Sequence, residues 1–233
     1  MFDFASGEIL LFDKPYTWTS FDVVNLIKNC LKKSLPESVK VGHAGTLDPL
    51  ATGLLIVLTG KKTREMEVIQ AQEKEYTGTF TLGATTASYD REKEVDKTYS
   101  IEHITEKMIH DAAKSFIGEI MQLPPEHSAV KIDGKRAYEY ARKGKPVEIK
   151  ARPVQIRGFE ITRIELPEVD FRVSCSKGTY IRSLARDFGE ALNSGAYLSS
   201  LCRTRIGDYQ VGDAMHPKDF TALIERMKQD GML

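Results

Sequence analysis

The stretch 169-VDFRVSCSKGTYIRSLARDFGEAL-192 carries two hydrophobic periods in succession. Val169, Phe171, Val173 and Cys175 alternate with polar residues, so they line one face of a strand. The strand ends at Ser176, Gly178 makes the turn, and from Tyr180 the spacing changes. Ile181, Leu184, Ala185, Phe188 and Leu192 recur at three and four residues, the buried face of a helix. Working outward, 76-YTGTFTL-82 alternates again, with Tyr76, Gly78, Phe80 and Leu82 on one side and threonines on the other. Further strands are expected over 7–15, 54–60, 147–165 and 197–211. Helices are expected after Ser20 as N-cap, near 105–117, over 135–144, and from Pro217 as its first residue. The charged tract 88–100 reads as a surface loop. Strands in runs mixed with helices, without regular βαβ alternation, predict an α/β (α+β) chain with a long mixed, mostly antiparallel sheet. No linker is evident, so a single domain over 1–233 is expected.

Lys plus Arg number 33 and Asp plus Glu number 33, so the total charge says nothing about a polyanionic partner. The distribution says more. Between Lys131 and Arg163 ten basic residues face four acids, and between Arg172 and Arg205 six face two. Tyr138, Tyr140 and Tyr180 are interleaved with them, as a surface that tracks phosphates and stacks bases requires. The three cysteines, Cys30, Cys175 and Cys202, are far apart and form no CxxC pair. The N-terminus lacks the basic flank and apolar run of a signal peptide, and no apolar stretch reaches the roughly 20 residues of a membrane helix. A reduced, cytoplasmic chain is expected.

The densest chemical signal is 42-GHAGTLDPLATG-53. Pro49 disfavours the helical region for Asp48, and Gly42, Gly45 and Gly53 allow tight turns and a close backbone approach by a ligand. A fixed carboxylate at a loop surface is one reading; an Asp-Pro turn is the other. Gly60-Lys61 is the nearest approach to a phosphate-binding loop, but the first glycine and the hydroxyl position are missing. His43 stands beside a glycine, and the other histidines show no metal-ligand spacing. A GxSxG elbow is absent.

Taken together, "GHAGTLDPLATGLLIVLTGKKTR", "KEYTGTFTLG", "LPPEHSAVKIDGKRAYEYARKG" and "CSKGTYIRSLARDFGEAL" resemble, in order, the motifs of TruB-type tRNA pseudouridine-55 synthases. The resemblance implies the pseudouridine synthase fold and an isomerase acting on one uridine of the tRNA T-loop, without metal or organic cofactor. A monomer is expected because no heptad or large apolar face suggests self-association, with no obligate protein partner and no membrane. Asp48 matches the family's essential aspartate, and His43 the histidine five residues before it. Tyr76 matches the tyrosine that packs on the target base. Tyr180 and Arg182 match the GTYIR motif, with Arg182 expected to hold Asp48 as an oriented carboxylate. Leu201 matches an apolar residue lining the uracil pocket, and Lys14 with Pro15 the D-K-P motif, with Lys14 expected among the substrate-binding residues. The segment near 124–152 corresponds to the family's RNA-gripping insertion. The chain ends at Leu233 after a short helix, so the C-terminal PUA module of many relatives is expected to be absent. Many relatives read T-D-T-x-D near residue 86, whereas this chain has "TASYD", which leaves the role of that loop open.

Two other functions share these residues: a tRNA-binding folding chaperone using the same surface, and a guide-dependent rRNA pseudouridine synthase. Binding alone needs no carboxylate facing phosphates, which disfavours the first. The second usually relies on a PUA domain and protein partners.

Overall fold

The structure, a computed structural model, describes residues 2–125, 131–132, 135–136 and 149–232. In chain order its elements begin with β1 (Ile9–Lys14), α1 (Ser20–Ser34), β2 (Val41–His43), β3 (Thr52–Thr59) and α2 (Met66–Ala71). Next come β4 (Lys74–Leu82), β5 (Ala84–Thr86), β6 (Val95–Thr98), α3 (Glu106–Ser115) and β7 (Gly118–Gln122). The short strands β8 (Lys131–Ile132) and β9 (Lys135–Arg136) precede the long β10 (Arg152–Glu165) and β11 (Glu168–Cys175). The chain closes with α4 (Ile181–Ala191), β12 (Ala196–Ile206), β13 (Tyr209–Gln210) and α5 (Pro217–Gln229). It divides into two compact units, Met1–Tyr76 with Cys202–Leu233, and Thr77–Leu201.

The first unit is built around β3. Its run Leu54–Leu58 is buried throughout because both faces are covered, so it reads as a continuous apolar stretch. Leu55 and Val57 pack with Phe12 of β1, Val23 and Ile27 of α1, and Phe220 and Ile224 of α5. Leu54, Ile56 and Leu58 pack on the other side with Ala44, Ile69 and Ile206. β1 lies antiparallel to β3 from Ile9↔Leu58 to Lys14↔Gly53, and β2 is antiparallel to its end, with His43↔Val57. The end of β12 runs parallel to β3, pairing Arg203 with Gly53.

Helix α1 is capped by Thr19, not by Ser20. Thr19 accepts from the Asp22 N–H while Asp22 accepts from the Thr19 N–H, a reciprocal box that the Thr-x-x-Asp spacing supplies. Ser20 is thereby left free to turn inward, where it is buried.

Just before this helix, Pro15–Trp18 forms a turn closed by the Trp18 N–H on the Pro15 carbonyl at 3.3 Å. Its third residue, Thr17, has φ 70°, a left-handed conformation that its β-branched side chain disfavours. Thr17→Gly is expected to stabilise the protein by about 1 kcal/mol. That corresponds to a rise of roughly 2–4 °C in thermal midpoint. An unchanged or lower midpoint would refute this account of the turn.

In the second unit the strand order is β12, β4, β11, β10, β7. β10 and β11 form an antiparallel hairpin with two register shifts, and β7 is antiparallel to the start of β10. The alternation read over 76–82 holds: Tyr76, Phe80 and Leu82 are buried and the threonines between them partly exposed. Phe80 stacks on Phe171 with ring centres 4.1 Å apart and meets Phe188 of α4 at 5.3 Å. This aromatic cluster seats α4 on the sheet.

The tract 88–100 is not all loop, because Val95–Thr98 pairs with Ala84–Thr86. The strand expected from 147 begins at Arg152. The helix expected over 135–144 starts instead as a strand pair, Lys131–Ile132 with Lys135–Arg136, and its remaining residues lie outside those described. Most of the 124–152 segment lies outside them too.

Candidate active site

The loop between β2 and β3 carries Asp48, and its backbone is tied down carbonyl by carbonyl. The carbonyls of Gly45 and Thr46 accept from the Arg203 guanidinium at 3.1 and 3.3 Å. Leu47 is bonded twice by Ser20, whose hydroxyl accepts from its N–H at 2.8 Å and donates to its carbonyl at 3.2 Å. The Asp48 carbonyl accepts from the Ala51 N–H, and that of Pro49 accepts from the Thr17 N–H and the Lys14 ammonium. Five successive carbonyls thus have partners, and Ala44, Leu47 and Ala51 anchor the loop apolarly. Asp48 itself is half-buried, between the exposed Thr46 and Pro49.

The glycines serve the chain's own packing. A side chain on Gly53 (φ 98°) would come within 2.4 Å of the Arg203 carbonyl, and one on Gly42 within 2.6 Å of the Met66 sulfur. The close approach expected of a ligand at these two positions is made instead by β12 and by Met66.

Lys14 is completely buried. Its ammonium donates to the carbonyls of Pro15 at 2.9 Å, Trp18 at 2.6 Å and Pro49 at 3.3 Å, joining the turn before α1 to the Asp48 loop. Burial pushes Lys14 down to about 8, against the attraction of Asp48 and reinforced by Arg203. Below pH 8 Lys14 is charged whether the chain is folded or not. Between about 8 and 10.5 the unfolded chain holds a proton that the folded chain has released, so stability gains at this residue as pH rises. The loop meanwhile loses its cationic tie. Turnover is therefore expected to fall along an alkaline limb with midpoint near 8, and Lys14→Met to lack that limb. A common limb in both proteins would show that another group titrates.

His43 ends β2 and is half-buried, five residues before Asp48. Tyr76 lies on β4, 8% exposed. Lys14, His43, Asp48 and Tyr76 thus belong to the first unit.

Tyr180, Arg182 and Leu201 belong to the second. Tyr180 is the N-cap residue of α4. The side chain of Gln122, itself buried, accepts from its N–H at 2.8 Å and donates to its carbonyl at 3.1 Å. The Arg152 guanidinium lies 5.1 Å from the centre of its ring. Arg182 is 5% exposed. Its Nη1 donates to the Ser88 carbonyl at 3.4 Å, and its Nε lies 3.7 Å from the Asp90 carboxylate. The 84–90 loop therefore has a structural role: Asp90 is a buried acid facing Arg182. Leu201 lies on β12, half-buried.

The basic surplus counted along the sequence is partly matched in three dimensions. Arg163 pairs with Asp170, Glu165 and Glu168, Arg172 with Glu160, Arg186 with Asp187, and Arg205 with Glu73. Glu73 lies outside the stretch that was counted, so a local tally overstates the charge available to phosphates. Arg203, Ser20, Gln122 and Asp90 were not singled out as site residues by sequence reasoning. No spacing or composition distinguishes Arg203 from its neighbour Arg205, and the hydroxyl of Ser20 reads as a cap.

The TruB family pseudouridylate synthase N-terminal domain matches residues 32–181. The chain belongs to the TruB family. It is 58% identical over 215 residues to a tRNA pseudouridine synthase B of Flavobacterium johnsoniae, covering 91% of this chain and 94% of that protein. It is 53% identical to one of Phocaeicola vulgatus over 97% of both. Among solved structures it is similar to a chain of a Cbf5-Nop10-Gar1 complex, with TM-score 0.75 and 32% identity. It covers 58% of that chain, which covers 99% of this one. The fold is that of the pseudouridine synthases, as the α/β reading with a mostly antiparallel sheet expected. Among the described residues, no helix is long and apolar enough to cross a membrane.

Proposed function

We propose that the protein isomerises uridine 55 in the T-loop of tRNA to pseudouridine, with Asp48 as its catalyst. The observation that carries this is the Asp48 loop, in which every carbonyl from Gly45 to Pro49 has a partner while Asp48 stays partly exposed. The glycosidic bond from C1′ to N1 breaks, the uracil turns, and C1′ bonds to C5. The C5 hydrogen leaves to solvent and N1 takes up a proton. A carboxylate can assist as a nucleophile at C1′ or C6, or as a base at C2′. Tyr76 is assigned to stacking on the base, worth about 1–3 kcal/mol. His43, Tyr180, Arg182 and Leu201 are assigned to substrate binding on the motif match, and Lys14 to holding the loop. The uridine must be flipped out of the folded T-loop first. We place the reaction in the cytoplasm, catalysed by a monomer in which both units serve one catalytic domain.

A guide-dependent enzyme is the competing reading. The tRNA-named relatives match at 58% and 53% identity over nearly their whole length, whereas the chain of the Cbf5-Nop10-Gar1 complex matches at 32% over 58% of its own. This favours tRNA as substrate. Mapping pseudouridine in an unmodified tRNA transcript incubated with the protein alone tests it. One pseudouridine at position 55, and none when uridine 55 is replaced by cytidine, is expected. Pseudouridine elsewhere, or formed only with an added guide RNA, would overturn it.

A further inference from the structure

We propose that Arg203 is a positioning residue for the isomerisation, fixing the two ends of the segment that carries Asp48. The inference rests on reading Asp48 as the catalyst. Arg203 is 1% exposed, the largest fully buried side chain among the described residues. Its Nε donates to the Leu54 carbonyl at 2.8 Å, its Nη1 to Thr46 at 3.3 Å and its Nη2 to Gly45 at 3.1 Å. Buried arginines usually face carboxylates, but these three acceptors are backbone carbonyls. Two of them lie before Asp48 and one after it, so a single rigid fork spans the loop's entry and exit.

The geometry explains why a guanidinium is needed there. Gly45 and Thr46 lie outside the strand ladder, and the buried carbonyl of Gly45 would lose its partner if Arg203 were lost, while that of the exposed Thr46 would lose its tether. The backbone of Arg203 is held in register beside Gly53, so the fork starts from a fixed point. A lysine supplies the charge but lacks the planar fork that meets three carbonyls in two segments at once. Lys14 and Ser20 hold Pro49 and Leu47 between these ends, and Arg203 sets where the ends sit. A misplacement of about 1 Å at a reacting group costs on the order of 100-fold in rate.

The test is single-turnover release of tritium from C5 of uridine in tRNA, with tRNA affinity and thermal midpoints measured alongside. Wild type, Arg203→Lys and Arg203→Gln are compared, each below its own midpoint. The expected result is a rate about 100-fold lower in Arg203→Lys and lower still in Arg203→Gln, with affinity for tRNA within about threefold of wild type. A folded variant with the wild-type rate overturns the inference. So does a variant whose loss lies in affinity rather than rate. Failure of both variants to fold overturns it too, since Arg203 would then pin the whole unit and not the loop. Silence of the wild type with bound tRNA is a different result: it removes the reading of Asp48 on which the inference stands.

Discussion

Asp48→Asn is expected to lose isomerisation by at least about 10⁴-fold while binding tRNA within about twofold of wild type. The substitution preserves shape and removes only the charge. The loop's anchors are backbone carbonyls bonded by Arg203, Ser20, Lys14, Thr17 and Ala51, and none of these bonds uses the Asp48 side chain. The loop should therefore keep its course in the variant. A neutral amide is neither a nucleophile nor a base of the required strength, so no route through C1′, C6 or C2′ stays open. Loss of binding in step with rate would mean that Asp48 holds RNA or the fold. A modest loss, under about 100-fold, would mean that catalysis lies with another group.

Arg182→Met is the second large effect, and it is expected in stability as well as rate. Arg182 and Asp90 are 6% and 7% exposed at their side chains, so the methionine leaves a buried acid without its facing cation. Asp90 cannot easily swing out. Its carboxylate accepts from the Glu92 N–H at 2.9 Å, its carbonyl accepts from Thr86 at 2.6 Å, and it bridges to Leu198 of β12. Breaking one side of a buried pair typically costs about 3–5 kcal/mol, a fall of roughly 10 °C in midpoint. Arg182→Met with Asp90→Asn should recover at least half of it, because the amide has no charge to strand. A double variant no more stable than the single one would show that the pair is not the source.

Much of the fold was legible, for identifiable reasons. Strand β4 declares itself because one of its faces is buried and the other is not, and helix α4 because its apolar residues recur on one side, although Arg182 and Ser183 are buried too. Strand β3 declares itself because both of its faces are. Strands β2, β5, β6 and β7 were not legible: they are three to five residues long and owe their existence to partners elsewhere in the chain. The cap of α1 could have been read from Thr19 and Asp22, three residues apart, whereas Ser20 has Val23 at that distance.

The candidate site divides in the same way. Asp48, Tyr76, Tyr180 and Arg182 stand in motifs dense enough to be recognised. The residues that hold them do not. Arg203 reaches carbonyls some 150 positions upstream, and a carbonyl has no side-chain signature. Gln122 acts on the backbone of Tyr180 through an amide that any exposed glutamine also carries. Asp90, which faces Arg182, lies in a loop whose role the sequence leaves open, and its burial reveals the pairing.

The most direct measurement is release of tritium from unmodified tRNA labelled at C5 of uridine, by the wild-type protein without additions. Formation of the bond between C1′ and C5 expels that hydrogen, so release reports the reaction itself. The expected result is release that rises to one equivalent per tRNA and stops. No release, with tRNA bound, would contradict the account and leave a protein that holds tRNA without modifying it.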